Sequence, residues 1–63
     1  MQFSKREKDV LLLLSEGLPQ KQIADKLNIT ARTVETHIRT MLGKVDAKNS
    51  THLVALFTKS YSQ

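Results

Sequence analysis

The sequence contains no cysteine. A disulfide framework and a thiolate metal site are therefore excluded, and a reducing compartment is suited. No apolar run approaches the length of about 18 residues that spans a membrane; the longest is Val10 to Leu14. The N-terminus lacks a signal-peptide layout. Aromatic residues are few (Phe3, Phe57 and Tyr61), and none lies in the middle of the chain. A platform for stacking single-stranded bases is thus missing, which argues against RNA. No alternating apolar and polar run is bounded by turn residues, so no strand is predicted. There is no glycine-rich phosphate loop, no carboxylate pair in an identifiable cleft and no nucleophile beside a base. His37 and His52 are too few and too far apart for a catalytic or metal constellation. The expectation is a protein that is not an enzyme and takes no cofactor, no metal, no small-molecule ligand and no membrane.

What remains is short and helical. A chain of 63 residues holds one domain, predicted over 1–63. Such a domain buries only about 60% of the surface its unfolded chain exposes. An apolar content of 40% supports one thin core.

Four helical patterns follow one another, giving an all-α, four-helix domain with a central helix-turn-helix. Ser4-Lys5-Arg6-Glu7 has the form of a capping box, with Phe3 placed to staple onto the first turn. Val10, Leu11 and Leu14 recur at helical spacing, and Gly17 ends the helix. Pro19 opens a second helix, where its missing amide hydrogen is harmless. Ile23, Ala24 and Leu27 form the buried face of that helix. Asn28 is a left-handed terminator, and Ile29 plugs the core within the turn. Thr30 caps a third helix from about Ala31 to Lys44. Asn49 caps a fourth from about Ser50 to Tyr61. A short helix, a turn of about three residues and a longer capped helix form the helix-turn-helix pattern, and small Ala24 lets the two approach closely.

Charge is unevenly placed. The net charge is +4, of which residues 20–48 contribute +3 and residues 1–19 nothing. A basic middle segment points toward a polyanion, although taken alone the charge is better explained by a solvated lysine-rich surface, because a modest basic excess is common.

The third helix is more specific. With Arg32 at zero and about 100° per residue, Glu35, Thr36, Arg39, Thr40 and Gly43 join it in one arc about 140° wide. Val34, Ile38, Met41, Leu42 and Val45 lie opposite, with His37 at the boundary. The polar arc suits base edges in a major groove. Arg39 can donate twice to guanine O6 and N7, Glu35 can accept from a cytosine amino group, and the Thr36 methyl can meet a thymine methyl. Glu35 also stands four residues before Arg39 and can hold it by an ion pair. Thr30, Arg32 and Thr33 cluster at the helix N-terminus, which favours a phosphate. Lys21, Thr40 and Lys44 are candidates for flanking phosphates. Each of these positions taken singly has an ordinary structural reading as a cap or a surface pair; taken together on one arc they favour DNA.

The residues that carry this reading also resemble the LuxR-type (GerE- or FixJ-like) helix-turn-helix domain of bacterial transcription regulators. That family reads roughly L-T-x-R-E-x-E-V-L, then G-x-x-x-K-x-I-A-x-x-L-x-I-S, then T-V-x-x-H-x-x-x-I-x-x-K-L. Here stand Phe3-Ser4-Lys5-Arg6-Glu7-Lys8-Asp9-Val10-Leu11, then Gly17-Leu18-Pro19-Gln20-Lys21-Gln22-Ile23-Ala24 with Leu27-Asn28-Ile29-Thr30, then Thr33-Val34, His37, Met41, Lys44 and Val45. The match runs along nearly the whole chain without a gap.

The resemblance implies the output domain of a response regulator: a cytoplasmic, nucleoid-associated protein that binds double-stranded DNA as a homodimer. It implies base contacts by Glu35, Thr36 and Arg39 and phosphate contacts by Lys21, Thr33 and Lys44. It places the dimer interface on the fourth helix, where Leu53, Val54, Leu56, Phe57 and Tyr61 span an apolar arc about 160° wide. The other reading of that arc is completion of the core. Two departures matter. Ser50 and His52 stand where members usually carry arginine and an acid. Glu35 is acidic where many carry lysine, so a target sequence does not carry over. The alternative function is a protein-interaction module acting on RNA polymerase or another regulator. Salt separates the two, because DNA binding weakens steeply with ionic strength and an apolar interface does not.

Overall fold

Three of the four helices begin where a side chain replaces a missing backbone partner. The computed structural model describes residues 3–61, with side chains for residues 3–58. Its elements are α1 (Lys5–Ser15), α2 (Gln20–Leu27), α3 (Ala31–Val45) and α4 (Ser50–Tyr61). No strand occurs among the described residues.

Ser4, in extended conformation, caps α1. The Glu7 amide donates to Ser4 Oγ at 3.1 Å, and the Ser4 amide donates to Glu7 Oε1 at 2.8 Å, so the capping box is complete. The helix ends at Ser15 and Glu16, and Gly17 follows with φ 87, a conformation that glycine adopts without strain. Pro19 is not the first helical residue, as the sequence suggested. Its ψ of 156 is extended, so it stands at the N-cap. Its carbonyl accepts from the amides of Gln22 and Ile23 at 3.0 and 3.1 Å. Asn28 closes α2 in the left-handed region, φ 57 and ψ 44. The Ile29 amide then returns to the Ala24 carbonyl at 3.0 Å.

Thr30 Oγ1 accepts from the Thr33 amide at 3.1 Å and starts α3. That helix runs one residue beyond the expected end and stops at Asp46, also left-handed with φ 57. At α4, Asn49 Oδ1 accepts from the His52 amide at 2.8 Å, while His52 Nδ1 accepts from the Lys48 amide at 3.1 Å. His52 thus has a local structural task at the position where the family pattern departs.

The core is one cluster drawn from all four helices: Val10 and Leu11, Ile23 and Ala24, Val34, Ile38 and Met41, and Leu53. Burying each of the larger side chains contributes roughly 1.5–3 kcal/mol. Helix α3 supplies the most members and packs against each of the other three helices. Phe3, Leu18, Leu27 and Ile29 seal the margins. One side of α3 is therefore consumed by packing along most of its length.

Candidate nucleic-acid interface

The other side of α3 is unused by the fold. Arg32, Glu35, Thr36, Arg39, Thr40 and Gly43 are all exposed, while Val34, Ile38 and Met41 are buried and His37 is half-buried. The arc read from the sequence thus matches the exposed face. At about 1.5 Å per residue, the helix is roughly 22 Å long, suitable for a major groove about 12 Å wide. A shallow concavity of about 550 Å³ lies on this face, lined by Gln20, Ala31, Arg32, Glu35, Thr36 and Arg39. Gln20 at the start of α2 was not foreseen. The only signal available was its place directly after a helix-opening proline.

Charge on the arc is loosely held. Arg39 Nη2 lies 3.7 Å from Glu35 Oε2, with the two side chains 78% and 54% exposed. A pair this open contributes at most a few tenths of a kcal/mol. It leaves both groups available to another partner.

The hydroxyls are more constrained. Thr36 Oγ1 donates to the Arg32 carbonyl at 3.0 Å, and Thr40 Oγ1 donates to the Thr36 carbonyl at 2.9 Å. A carbonyl only accepts, so each threonine has committed its hydrogen to its own helix. At the N-terminus, the Thr30 and Thr33 hydroxyls bond to each other at 2.8 Å. Whichever of them donates, the other keeps a hydrogen that can point outward. With the first-turn amides of α3 this forms a small donor cluster beside exposed Arg32. Lys21 stands exposed on the first turn of α2.

Lys44 is engaged elsewhere. Its Nζ donates to Glu7 Oε1 at 2.8 Å, across 37 residues of sequence. The Glu7 side chain is 6% exposed and that of Lys44 38%. The Phe3 ring lies 5.8 Å below the ammonium. The hydrogen bond from Lys44 holds the Glu7 carboxyl below the usual carboxylate range, with help from the Ser4 amide and against the opposing effect of burial. One carboxylate thus closes the α1 cap and ties it to the end of α3. The sequence reading foresaw the cap but not this tie.

On α4, Leu53 is fully buried, and Val54 and Phe57 pack against the core. Leu56 is half-buried without joining that cluster. The side chain of Tyr61 lies outside the described residues.

The profile of the family described as "Bacterial regulatory proteins, luxR family" matches residues 1–57. The nitrate/nitrite response regulator protein NarL of Escherichia coli is 46% identical over 48 residues, 76% of this chain and 22% of that protein. The transcriptional regulatory protein FixJ of Rhizobium meliloti is 45% identical over 54 residues, 86% of this chain and 26% of that protein. The transcriptional regulatory protein LiaR of Bacillus subtilis is 44% identical over 49 residues, 78% of this chain and 23% of that protein. The chain spans about a quarter of the length of these relatives.

Proposed function

The chain belongs to the luxR family of bacterial regulatory proteins, and from that premise we propose that it binds double-stranded DNA by laying α3 in the major groove, as the DNA-binding part of a transcription regulator. The observation that carries this reading is the two-sidedness of α3: the fold consumes Val34, Ile38 and Met41, and leaves a polar, basic-edged arc with no internal task. Arg39, Glu35 and Thr36 face base edges. Thr30, Thr33 and Arg32 take a phosphate at the helix N-terminus, and Lys21 takes a flanking one. Thr40 and Lys44 are weaker phosphate candidates, because each must first release an intramolecular bond.

Two half-sites read by a homodimer complete the proposal, with Val54, Leu56, Phe57 and Tyr61 at the α4 interface. Contact of this same domain with RNA polymerase or another regulator is the alternative reading.

The test is a titration of the labelled protein with mixed-sequence duplex at two salt concentrations, read by amide chemical shifts. The expected outcome is movement at Lys21 and from Thr30 to Lys44, joined by α4 where two copies pair on the duplex, and affinity that falls steeply with salt. Shifts on α4 alone, or binding indifferent to salt, would replace the proposal with a protein-interaction module.

A further inference from the structure

The hydrogen-bond polarity of the exposed face of α3 restricts which bases it accepts. We infer that the protein discriminates amino-bearing from keto-bearing bases at a position next to a guanine, because Glu35 and Thr36 present acceptors only and Arg39 donors only. This inference rests on the DNA-binding reading above.

The argument begins with Thr36. A free threonine hydroxyl can both donate and accept, and so tells bases apart poorly. Here its hydrogen is given to the Arg32 carbonyl at 3.0 Å. What faces outward is an oxygen with lone pairs and a methyl group. Glu35, one residue earlier and 54% exposed, is a carboxylate and also only accepts. Both groups line the concavity that Arg39 enters from the next turn. Arg39 has five donors and no acceptor.

In the major groove, the donors are the adenine N6 and cytosine N4 amino groups. The guanine O6 and N7, adenine N7 and thymine O4 atoms accept. Arg39 therefore selects guanine. The acceptor pair opposite selects an adenine or a cytosine on one strand. It meets repulsion when guanine O6 or thymine O4 stands there instead. Thr36 and Arg39 are separated by about 4.5 Å along the helix axis, close to one base-pair step of about 3.4 Å. The two preferences thus fall on neighbouring pairs. Every base pair carries one amino group, so the discrimination is directional. It separates A or C from G or T on a given strand, rather than purine from pyrimidine.

Glu35 does most of this by exclusion. Its charge lowers affinity for every phosphate-lined groove, and only an amino group offsets that where it sits. Replacing it with glutamine keeps the shape, removes the charge and adds a donor.

The experiment is a random-pool duplex selection followed by competition titrations, run with the wild-type chain, Glu35→Gln and Thr36→Val, with the melting temperature of each measured alongside. The wild type is expected to enrich a guanine flanked by a position holding A or C over G or T by about tenfold. Glu35→Gln is expected to remove the cytosine part of that preference, leaving at most the adenine that a glutamine amide pairs with at N6 and N7, and to raise affinity for unrelated duplex, without a change in melting temperature. Thr36→Val reduces it partly. Enrichment of guanine beside an indifferent or keto-preferring position overturns this inference and leaves the DNA-binding proposal standing. So does a cytosine preference that survives both substitutions. Failure of the wild type to retain any duplex overturns both.

Discussion

Glu7 and Lys44 close at 2.8 Å, with the carboxylate side chain only 6% exposed. Glu35 and Arg39 stand at 3.7 Å, with side chains 54% and 78% exposed. Both pairs involve α3, and both set a glutamate against a cation. The first joins segments that are distant in sequence, completes a helix cap and sits over an aromatic ring. The second spans one turn of one helix in water. The inner pair is therefore part of the architecture: removing Lys44 leaves a nearly buried carboxylate without its ammonium. The outer pair is weak and exposed, so either partner is open to another ligand. Burial, rather than residue type, makes this difference.

Four results would break or sharpen that contrast. The largest effect is expected from Glu7→Ala, which removes the carboxylate half of the capping box, orphans the Ser4 amide and takes the carboxylate away from Lys44. The half-exposed ammonium softens the usual cost, and a loss of about 2–3 kcal/mol in urea unfolding is expected. Glu35→Ala should cost less than about 0.5 kcal/mol in the same experiment. Equal losses would abolish the distinction between the two pairs.

Next comes Arg39→Ala. It is expected to weaken binding to a selected site by about 1–3 kcal/mol in a mobility-shift titration and to relax its sequence preference. Unfolding should be unaffected. A stability loss with unchanged DNA affinity would reverse the assignment of the outer pair.

The third concerns acid. The folded state holds the Glu7 carboxyl below its ordinary range, so the unfolded chain takes up that proton first as pH falls. The stabilisation is fully present above the ordinary carboxylate value and disappears as pH drops through the lowered one. Melting temperature followed from neutral pH downward should decline more steeply in the wild type than in Glu7→Gln. A wild-type acid limb unchanged by Glu7→Gln would remove this linkage.

The smallest effect should come from Gly43→Ala. A Cβ at Gly43 would meet open space, so no internal packing requires the glycine there. Alanine should raise stability by about 0.5–1 kcal/mol, since glycine is costly inside a helix. On the proposed function it should also weaken DNA binding, because the bare position lies in the arc that approaches the groove. Stabilisation with unaltered DNA affinity would place Gly43 outside the contact.

Much of this was legible before any folding was considered. Ser4 with Glu7, Asn28, Thr30 and Asn49 marked their helix ends, because caps and terminators act over three or four residues. The placement of Pro19 was the exception. It precedes α2 because its ψ is extended, and sequence alone does not fix that angle. The dry side of α3 followed from periodicity. The apolar arc of α4 was read equally as core and as interface, and the structure commits Leu53 to the core. The alternation of hydrophobic residues could not tell which of them another helix would cover.

The sequence by itself determined four helices, their boundaries to within about a residue and the two faces of α3, since all of these follow from interactions between near neighbours along the chain. Tertiary structure alone decided that Lys44 answers Glu7 and that Gln20 joins the concavity beside Arg39. These side chains become neighbours only when helices from distant segments pack, and nothing in their spacing announces it.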